Sequence, residues 1–263
     1  MMKIKGSLTI VCVSLMLAGL ILPNLSDAAI NPKDIVGIWL LDEGKGSTVT
    51  EITGKGKAYE GTVDGKTKWG KGQFNNALEF DGSTQVKIED NDALRLGKSQ
   101  TVMVWIHPNE RVNDWVRIVG KGQSGPRNYG LWRHADGWGL FQIYPGCNAW
   151  QNGNKDTEAP LEKWTHLTGT YDGKNIVLFV NGKQVASAAC TTEPATSADP
   201  LTFGYAGFHT FFNGLIDEIA LFSTVLEEKD IQDAMNKGFT NYLAVEPTQK
   251  LTTTWGTIKS QTK

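Results

Sequence analysis

Three glycine-containing dipeptides, each set between two short β-like runs, constrain the fold of this chain most strongly. They are Asp136-Gly137, Asp172-Gly173 and Asn181-Gly182. Such pairs supply the positive φ angles that tight hairpin turns need. The predicted hairpins join 129–134 to 138–144, 166–171 to 176–180, and the last of these runs to 183–189. With little helical periodicity elsewhere, this pattern favours an all-β chain of antiparallel strands, arranged as a sandwich or a barrel.

One longer apolar run and one helix complete the predicted elements. Residues 101–106 are apolar on both faces, which is typical of a strand at the centre of a sheet that is covered on both sides. A helix is predicted over 228–237, with acids in its first turn, Lys237 in its last turn and Gly238 after it. Because this helix is short, we expect it to dock on the strands. The domain would span residues 30–238, followed by a polar tail over 239–263.

The first 29 residues are typical of an export signal. Lys3 and Lys5 precede an apolar run over 8–22, and Ser26-Asp27-Ala28 is similar to a signal cleavage site. An uncleaved membrane anchor is the alternative interpretation. Cleavage predicts a secreted, periplasmic or cell-surface protein that has no membrane segment left.

Cysteine content and charge restrict the compartment and the partners. Cys147 and Cys190 would remain after cleavage, and an even number in an exported protein predicts a disulfide between them. Two separate buried thiols are the alternative. The net charge of the whole chain is −2, and the sequence has no basic cluster, so nucleic acid is not an expected partner.

The stretch from Gly214 to Phe222 reads as a β-strand with two adjacent acids, Asp217 and Glu218. In a regular strand, adjacent side chains point to opposite faces. Carboxylates within an apolar strand are costly unless they are exposed, hydrogen-bonded or bound to a cation. The environment of these two acids is therefore the main physical question that the sequence poses.

Seven segments in a fixed order make the chain resemble a known family. They are 37–44 (GIWLLDEG), 77–82 (ALEFDG), 104–108 (VWIHP), 163–167 (KWTHL), 170–173 (TYDG), 178–183 (LFVNGK) and 214–222 (GLIDEIALF). Over about residues 35–238 the chain resembles the laminin-G-like, concanavalin A-like lectin/glucanase domains of secreted bacterial proteins. The resemblance implies a two-sheet antiparallel jelly-roll sandwich with one short C-terminal helix. It implies no single function, since this fold carries lectins, adhesion modules, glycanases and spacers.

The glucanases of this fold place their acids at alternating positions of one strand, and this chain does not. Leu215 and Ile219 stand two residues on either side of Asp217. Adjacent acids that face apart cannot flank one glycosidic bond at the separation of roughly 5–9.5 Å that hydrolysis needs. No nucleophile elbow, phosphate-binding loop or zinc-ligand spacing is present either. We therefore predict no catalytic residues.

A structural calcium ion is implied by the resemblance. In related sandwiches such an ion ties the first strands to the last one, which would place it among Asp42, Asp81, Gly82 and Asp217. Carboxylates and backbone carbonyls are the oxygen ligands that calcium prefers, and the ion would neutralise Asp217. Backbone hydrogen bonds to Asp217 are the alternative.

Aromatic residues supply the candidate ligand site. The resemblance assigns four of the nine tryptophans to the core: Trp39, Trp69, Trp105 and Trp164. Five rings in less patterned segments are candidates for stacking on sugars: Trp115, Trp132, Trp138, Tyr144 and Trp150. Nearby polar side chains for sugar hydroxyls are Arg133, Asn148, Gln151 and Asn154. Ordinary core and loop packing is the alternative for each ring.

The leading functional hypothesis is a secreted, non-catalytic module that binds a glycan or cell-surface polymer. One alternative is a structural or protein-adhesion domain whose partner is an envelope protein. The other is a glycanase with an unrecognised site.

Overall fold

Two antiparallel β-sheets face each other across an apolar core. The computed structural model describes residues 30–123, 125–150, 158–208 and 210–244. The predicted export signal over 1–29 and the tail after residue 244 lie outside these ranges. In chain order the strands are β1 (Ile35–Trp39), β2 (Thr48–Val49), β3 (Gly61–Asp64), β4 (Lys68–Lys71), β5 (Asn76–Asp81), β6 (Gln85–Ile88), β7 (Gln100–Pro108), β8 (Val116–Lys121), β9 (Tyr129–Arg133), β10 (Gly139–Ile143), β11 (Cys147–Trp150), β12 (Thr165–Tyr171), β13 (Asn175–Val180), β14 (Lys183–Ala189), β15 (Leu201–Phe203) and β16 (Asn213–Phe222).

Eight strands form each sheet, as the predicted jelly-roll sandwich requires. Sheet A has the order β14-β13-β12-β7-β16-β5-β4, and β1 also pairs with β16. Sheet B has the order β11-β10-β9-β8-β15-β6-β3-β2. The three predicted hairpins are confirmed as β9–β10, β12–β13 and β13–β14.

The core lies between the sheets and is built from the alternate residues of both. Phe141 of sheet B packs so closely on Gly169 of sheet A that a Cβ atom at 169 would lie 2.1 Å from the ring. Trp39 and Phe203 meet edge to face, with ring centroids 5.5 Å apart. The interior therefore depends on matched large and small residues across the two sheets.

Two short helices cover the outer face of sheet A. Helix α1 (Glu228–Lys237) has the predicted bounds, and α2 (Phe239–Ala244) occupies the first six residues of the predicted tail. Ile231 and Phe239 pack with Met103 of β7 in a second apolar cluster. Strand β7 is thus covered on both faces, as its composition predicts. Within the described ranges, neither helix has the length or apolar character to span a membrane.

The predicted disulfide joins Cys147 to Cys190, with Cα atoms 5.8 Å apart. Cys147 begins β11 and Cys190 directly follows β14. These are the edge strands of sheet B and sheet A. The covalent bond therefore fastens the two sheets together at one side of the sandwich.

Candidate functional site

The strands β8 to β11 carry two rows of residues on the outer face of sheet B. Leu131 and Phe141 point into the core, so their chain neighbours point outward. The cross-strand pairs that set the rows are Arg117–Trp132, Trp132–Leu140 and Leu140–Trp150 in one row, and Gly120–Gly130, Gly130–Gln142 and Gln142–Asn148 in the other. The first row consists of large side chains and the second begins with two glycines. The surface of the sheet therefore changes in height from one row to the other.

The two glycines make room for the large side chains beside them. A Cβ atom at Gly120 would lie 2.6 Å from the Arg117 Cδ, and one at Gly130 would lie 2.6 Å from the Trp132 Nε1. Real Cβ contacts are longer, so a larger residue at either position would displace its neighbour. The Arg117 and Trp132 side chains therefore lie across the sheet instead of projecting from it.

Four rings, from β11 and from the loops next to β8, β9 and β10, lie together above the Arg117 and Trp132 side chains. Trp115 lies 4.9 Å from His134 and 6.3 Å from Trp150, measured between ring centroids. Trp138 stacks on His134 at 5.0 Å, with 16° between the ring planes, and lies 6.3 Å from Trp150. The Trp150 side chain is 47% exposed. These rings form an aromatic wall with a solvent-facing edge.

Two arginines lie over the Trp132 ring. The Arg117 guanidinium carbon is 5.6 Å from the ring centroid, and that of Arg127 is 5.8 Å from it. Arg127 is also 5.0 Å from the Phe208 ring and 5.4 Å from the Tyr144 ring. Distances in this range allow attraction between a cation and the face of a ring.

Arg117 is fully buried, yet its hydrogen bonds go to uncharged oxygens. It donates to the Thr202 Oγ1 at 2.7 Å, to the Tyr205 carbonyl at 3.3 Å and to the Gly122 carbonyl. The pKa of Arg117 is lowered to about 9, mainly by burial and in part by the charge of Arg127. A buried positive charge therefore lies beneath the aromatic surface.

These elements enclose an open cleft of about 590 Å³, which we call the aromatic cleft. Its described lining is Trp115, Arg127, Trp132, His134, Trp138, Leu140, Gln142, Asn148 and Trp150. That lining contains the Arg127 cation and no carboxylate. Trp138 also borders a second cleft, of about 560 Å³, with Arg111 and Glu158. Rings, amides and a guanidinium can bind a polar ligand with apolar faces.

The aromatic cleft collects most of the rings predicted to bind a ligand. Trp115, Trp138 and Trp150 line it together, which brings residues 35 positions apart in the sequence into one site. Trp132 also lines the cleft but is only 3% exposed, so it forms the floor. The Tyr144 ring centroid lies 5.4 Å from the Arg127 guanidinium carbon, and Tyr144 is not part of the described lining.

The predicted polar partners divide in the same way. Asn148 lines the aromatic cleft, whereas Arg133 is buried and donates through its Nε to the Ala159 carbonyl at 3.0 Å. Gln151 and Asn154 lie outside the described residues. Sequence reasoning missed Arg127 and Gln142; strict alternation around the inward-facing Phe141 was the available signal for Gln142.

Asp217 and Glu218 of β16 lie on sheet A. The strand there does not follow the regular alternation of faces that the sequence predicts. Ile216 faces the inter-sheet core, and so does Ile219, because a β-bulge interrupts the register between Asp217 and Ala220. Glu218 is the extra residue, with a φ angle of 50°. Asp217 and Ile219 therefore do not share a face as a regular strand would require.

Both acids are buried, and each accepts one backbone hydrogen bond. Phe74 N donates to the Asp217 Oδ2 at 3.0 Å, and Phe239 N donates to the Glu218 Oε2 at 2.6 Å. The pKa of Asp217 is raised to about 8 and that of Glu218 to about 7, mainly by burial. The charge of Glu218 contributes to the rise at Asp217, and the charge of Asp42 contributes to both. The Asp217 Oδ1 is buried without a hydrogen-bond partner.

The four predicted calcium ligands fall into two places. Asp42 is close enough to raise the pKa of Asp217, and the unpartnered Asp217 Oδ1 is the kind of oxygen that calcium takes. Asp81, in the Asp81-Gly82 turn, pairs with Asn213, four residues before Asp217 and about 13 Å along the strand. In the described ranges, no group of three or more His, Cys, Asp or Glu side chains is arranged to hold a metal ion. The Asp42 carboxylate oxygens accept hydrogen bonds from Asn75 and Asn76. Calcium at the four predicted ligands stays a prediction.

Comparisons with known proteins agree on the fold. A family profile for the concanavalin A-like lectin/glucanases superfamily matches residues 80–232. Domain 4 of an extracellular arabinanase from Geobacillus stearothermophilus, solved in complex with arabinotriose, is 18% identical with a TM-score of 0.59, over 76% of this chain and 97% of that one. No curated protein sequence matches the chain.

Two further solved structures are similar over less of their own length. The binding domain of Paraclostridial Mosquitocidal Protein 1 is 16% identical with a TM-score of 0.61, over 78% of this chain and 52% of that one. A sialidase from Trypanosoma rangeli is 15% identical with a TM-score of 0.56, over 76% of this chain and 32% of that one. At these identities the likeness shows a shared fold alone.

Proposed function

This chain belongs to the concanavalin A-like lectin/glucanase superfamily, and from that premise we propose that it is a non-catalytic module that binds a glycan in the aromatic cleft. The observation that carries the proposal is the convergence of Trp115, Trp138 and Trp150 on one open surface. Rings held at fixed angles offer flat apolar faces to the C–H faces of sugar rings. The arabinanase domain that shares this fold was solved with an arabinose oligosaccharide.

The polar side chains of the aromatic cleft suit sugar hydroxyls. Gln142 Nε2 donates to the Asn148 Oδ1 at 3.0 Å, which holds both amides in place. That bond leaves the Gln142 Oε1 as an acceptor and the Asn148 Nδ2 as a donor. A hydroxyl can both donate and accept, so the pair can meet two neighbouring hydroxyls of one sugar.

Two features of the described residues support binding without hydrolysis. Glycoside hydrolysis in most families uses two carboxyl groups that flank the scissile bond, and the described lining of the aromatic cleft contains none. The buried pair of Asp217 and Glu218 belongs to sheet A. Each of these carboxylates is engaged by a backbone N–H group rather than turned to an open groove.

An extracellular site of action is part of the same proposal. The Cys147–Cys190 disulfide fits an oxidising compartment, and the predicted signal would deliver the domain there, to the medium, the periplasm or the cell surface. An envelope protein is the other partner that exposed tryptophans would suit. Dependence of polysaccharide binding and of envelope-protein capture on Trp150 separates the two partners.

Binding of the purified protein to a panel of soluble polysaccharides tests the proposal. We expect retarded migration in gels that contain the correct polysaccharide. The Trp138→Ala and Trp150→Ala variants should each lose about fivefold or more in affinity, because one stacked ring is removed. Trp164→Ala is the matched control, since Trp164 packs on His107 of sheet A, away from the cleft.

Three outcomes would count against the proposal. Failure to bind any polysaccharide, together with capture of an envelope protein that depends on Trp150, would favour the adhesion alternative. An equal loss of affinity in Trp164→Ala would show that the loss is not specific to the aromatic cleft. Release of reducing sugar from a bound polysaccharide would show catalysis, which the proposal excludes.

A further inference from the structure

We propose that the aromatic cleft selects an acidic glycan, whose sugars carry carboxylates, and that Arg127 binds the carboxylate. The inference rests on the proposed function, because it names the class of glycan that the same site would take. It comes from the hydrogen bonding and charge around Arg127 and not from the likeness to other proteins.

Arg127 differs from the other arginines in its partners. The other four donate to protein oxygens: Arg95 to Asp90 and Asp92, Arg111 to Asp136, Arg117 to Thr202, and Arg133 to the Ala159 carbonyl. No acceptor in the described ranges takes a hydrogen bond from Arg127, and its Nε is buried without a hydrogen-bond partner. A guanidinium has five N–H donors. Those of Arg127 are held among three rings beside an open cleft.

The charge around the cleft is also unbalanced. Arg117 and Arg127 lie over the same indole, and the charge of Arg127 contributes to the lowered pKa of Arg117. Neither forms a salt bridge with a described carboxylate. Asp199 acts on Arg117 from a distance, while its Oδ2 accepts a hydrogen bond from Gln123 N at 2.9 Å. A desolvated cation without a counter-charge is costly, and a bound anion would supply that counter-charge.

The acid between His134 and Trp138 in the sequence does not supply it. Asp136 forms an ion pair with Arg111 and lies 3.4 Å from His134 Nδ1. It lines the second cleft and not the aromatic cleft. Among the residues described as lining the aromatic cleft, Arg127 is the one with a permanent charge.

The geometry favours a carboxylate that is carried on a sugar ring. A carboxylate is planar and matches the guanidinium fork through two parallel hydrogen bonds. Trp150, Gln142, Asn148 and Arg127 line the same cleft. When a sugar ring lies against Trp150 and its hydroxyls bond to Gln142 and Asn148, Arg127 can therefore donate to a carboxylate carried on that ring. A neutral sugar would offer Arg127 hydroxyl oxygens as acceptors but no counter-charge.

Polygalacturonate and its methyl ester make a matched pair of probes, because they share one sugar backbone and differ in charge. Dextran and dextran sulfate serve as neutral and sulfated comparisons. For the wild-type protein we expect affinity for polygalacturonate at least about tenfold above that for the ester, as a charge-assisted bidentate bond implies. That preference should decrease as the salt concentration rises.

Arg127→Gln tests the assigned residue. We expect it to reduce the preference for polygalacturonate to near unity while binding of the ester is retained, which also shows that the variant is folded. Lys183→Gln is the charge-matched control, because Lys183 is exposed on the edge of sheet A and its loss should leave the preference intact. If Arg127→Gln does not fold, the acid-to-ester ratio of the wild-type protein decides the question alone.

The outcomes separate this inference from the proposed function. Equal affinity for polygalacturonate and its ester would overturn the inference and leave the binding module standing. Binding of dextran sulfate without polygalacturonate would overturn the carboxylate assignment. Binding of no glycan at all would overturn the proposed function and the inference with it.

Discussion

Gly130 lies directly against Trp132: a Cβ atom at position 130 would stand 2.6 Å from the Trp132 Nε1. The two residues are two positions apart on β9 and face outward together. The indole can therefore lie flat across the sheet. Trp132 therefore forms the floor of the aromatic cleft instead of projecting into solvent.

Gly130→Ala should disturb the floor without changing its chemistry. We expect a loss of about 1–3 kcal/mol in the free energy of unfolding, because the new methyl group overpacks the site. Affinity for the bound polysaccharide should fall as well, since the displaced indole alters the cleft. Urea unfolding and gel retardation measure the two effects.

Gly97→Ala is the control for that substitution. A Cβ atom at Gly97 would have no neighbour within 4 Å, so both stability and binding should stay close to the wild-type values. If Gly130→Ala behaves like Gly97→Ala, the close contact with Trp132 does not constrain the site.

Removal of the Cys147–Cys190 disulfide should destabilise the sandwich and loosen the cleft. The bond closes a separation of 43 residues, and the chain-entropy relation gives about 4 kcal/mol for a loop of that length. We expect the Cys147→Ser, Cys190→Ser double variant to lose stability of that order in urea. Its ligand affinity should also fall, because Cys147 begins the strand that carries Trp150. A reducing agent should reproduce the loss in the wild-type protein and leave the variant unchanged.

The buried acids of β16 should make stability fall as the pH rises. Their native pKa values, about 8 for Asp217 and about 7 for Glu218, lie above the ordinary values of 3.8 and 4.5. Between roughly pH 4 and pH 8 the unfolded chain has released protons that the native state still holds, so the free energy of unfolding decreases through this window. Thermal melts in a chelator across these pH values measure the trend.

Asp217→Asn should flatten that dependence while Phe74 N keeps an oxygen acceptor. At pH 8 we expect the variant to melt at least about 3 °C higher than the wild-type protein, because no charge is left in the buried position. The exposed Glu60 serves as a control through Glu60→Gln. A wild-type melting temperature that is constant from pH 5 to pH 8 would contradict the assigned cause.

Calcium, if it binds at Asp42 and Asp217, should remove the same penalty. At a free concentration of about 100 times Kd, the expected gain is about 2.7 kcal/mol. Asp42→Asn should abolish the rise in melting temperature. Asp81→Asn should keep it, since Asp81 pairs with Asn213 at the far end of β16. Equal melting temperatures in calcium and in a chelator would argue against the ion.

The hairpins, the helix α1 and the disulfide could be predicted because each depends on local chemistry or on residue counts. Asp172-Gly173 and Asn181-Gly182 carry the positive φ angles of their turns within the dipeptide. The bounds of α1 follow from the acids in its first turn, from Lys237 in its last turn and from Gly238 after it. Such signals do not depend on contacts with distant parts of the chain.

The features that could not be predicted from the sequence are those whose local geometry depends on a distant part of the chain. Glu218 adopts a positive φ angle in a bulge, and nothing in its own segment signals an inserted residue. Trp132 is buried because Gly130 lies beside it and Arg117 pairs with it across the strands. The role of Arg127 depends on rings from three separate loops and strands, so its lack of a carboxylate partner became visible only in the folded chain.

The helices α1 and α2 cover sheet A, whereas the aromatic cleft opens on the outer face of sheet B. The polypeptide thus reaches residue 244 on the side of the sandwich turned away from the aromatic cleft. A bead, a dye or a fused partner tethered beyond that point would leave the rings free to meet a polymer in solution. The same tether placed at Asn148 would obstruct them.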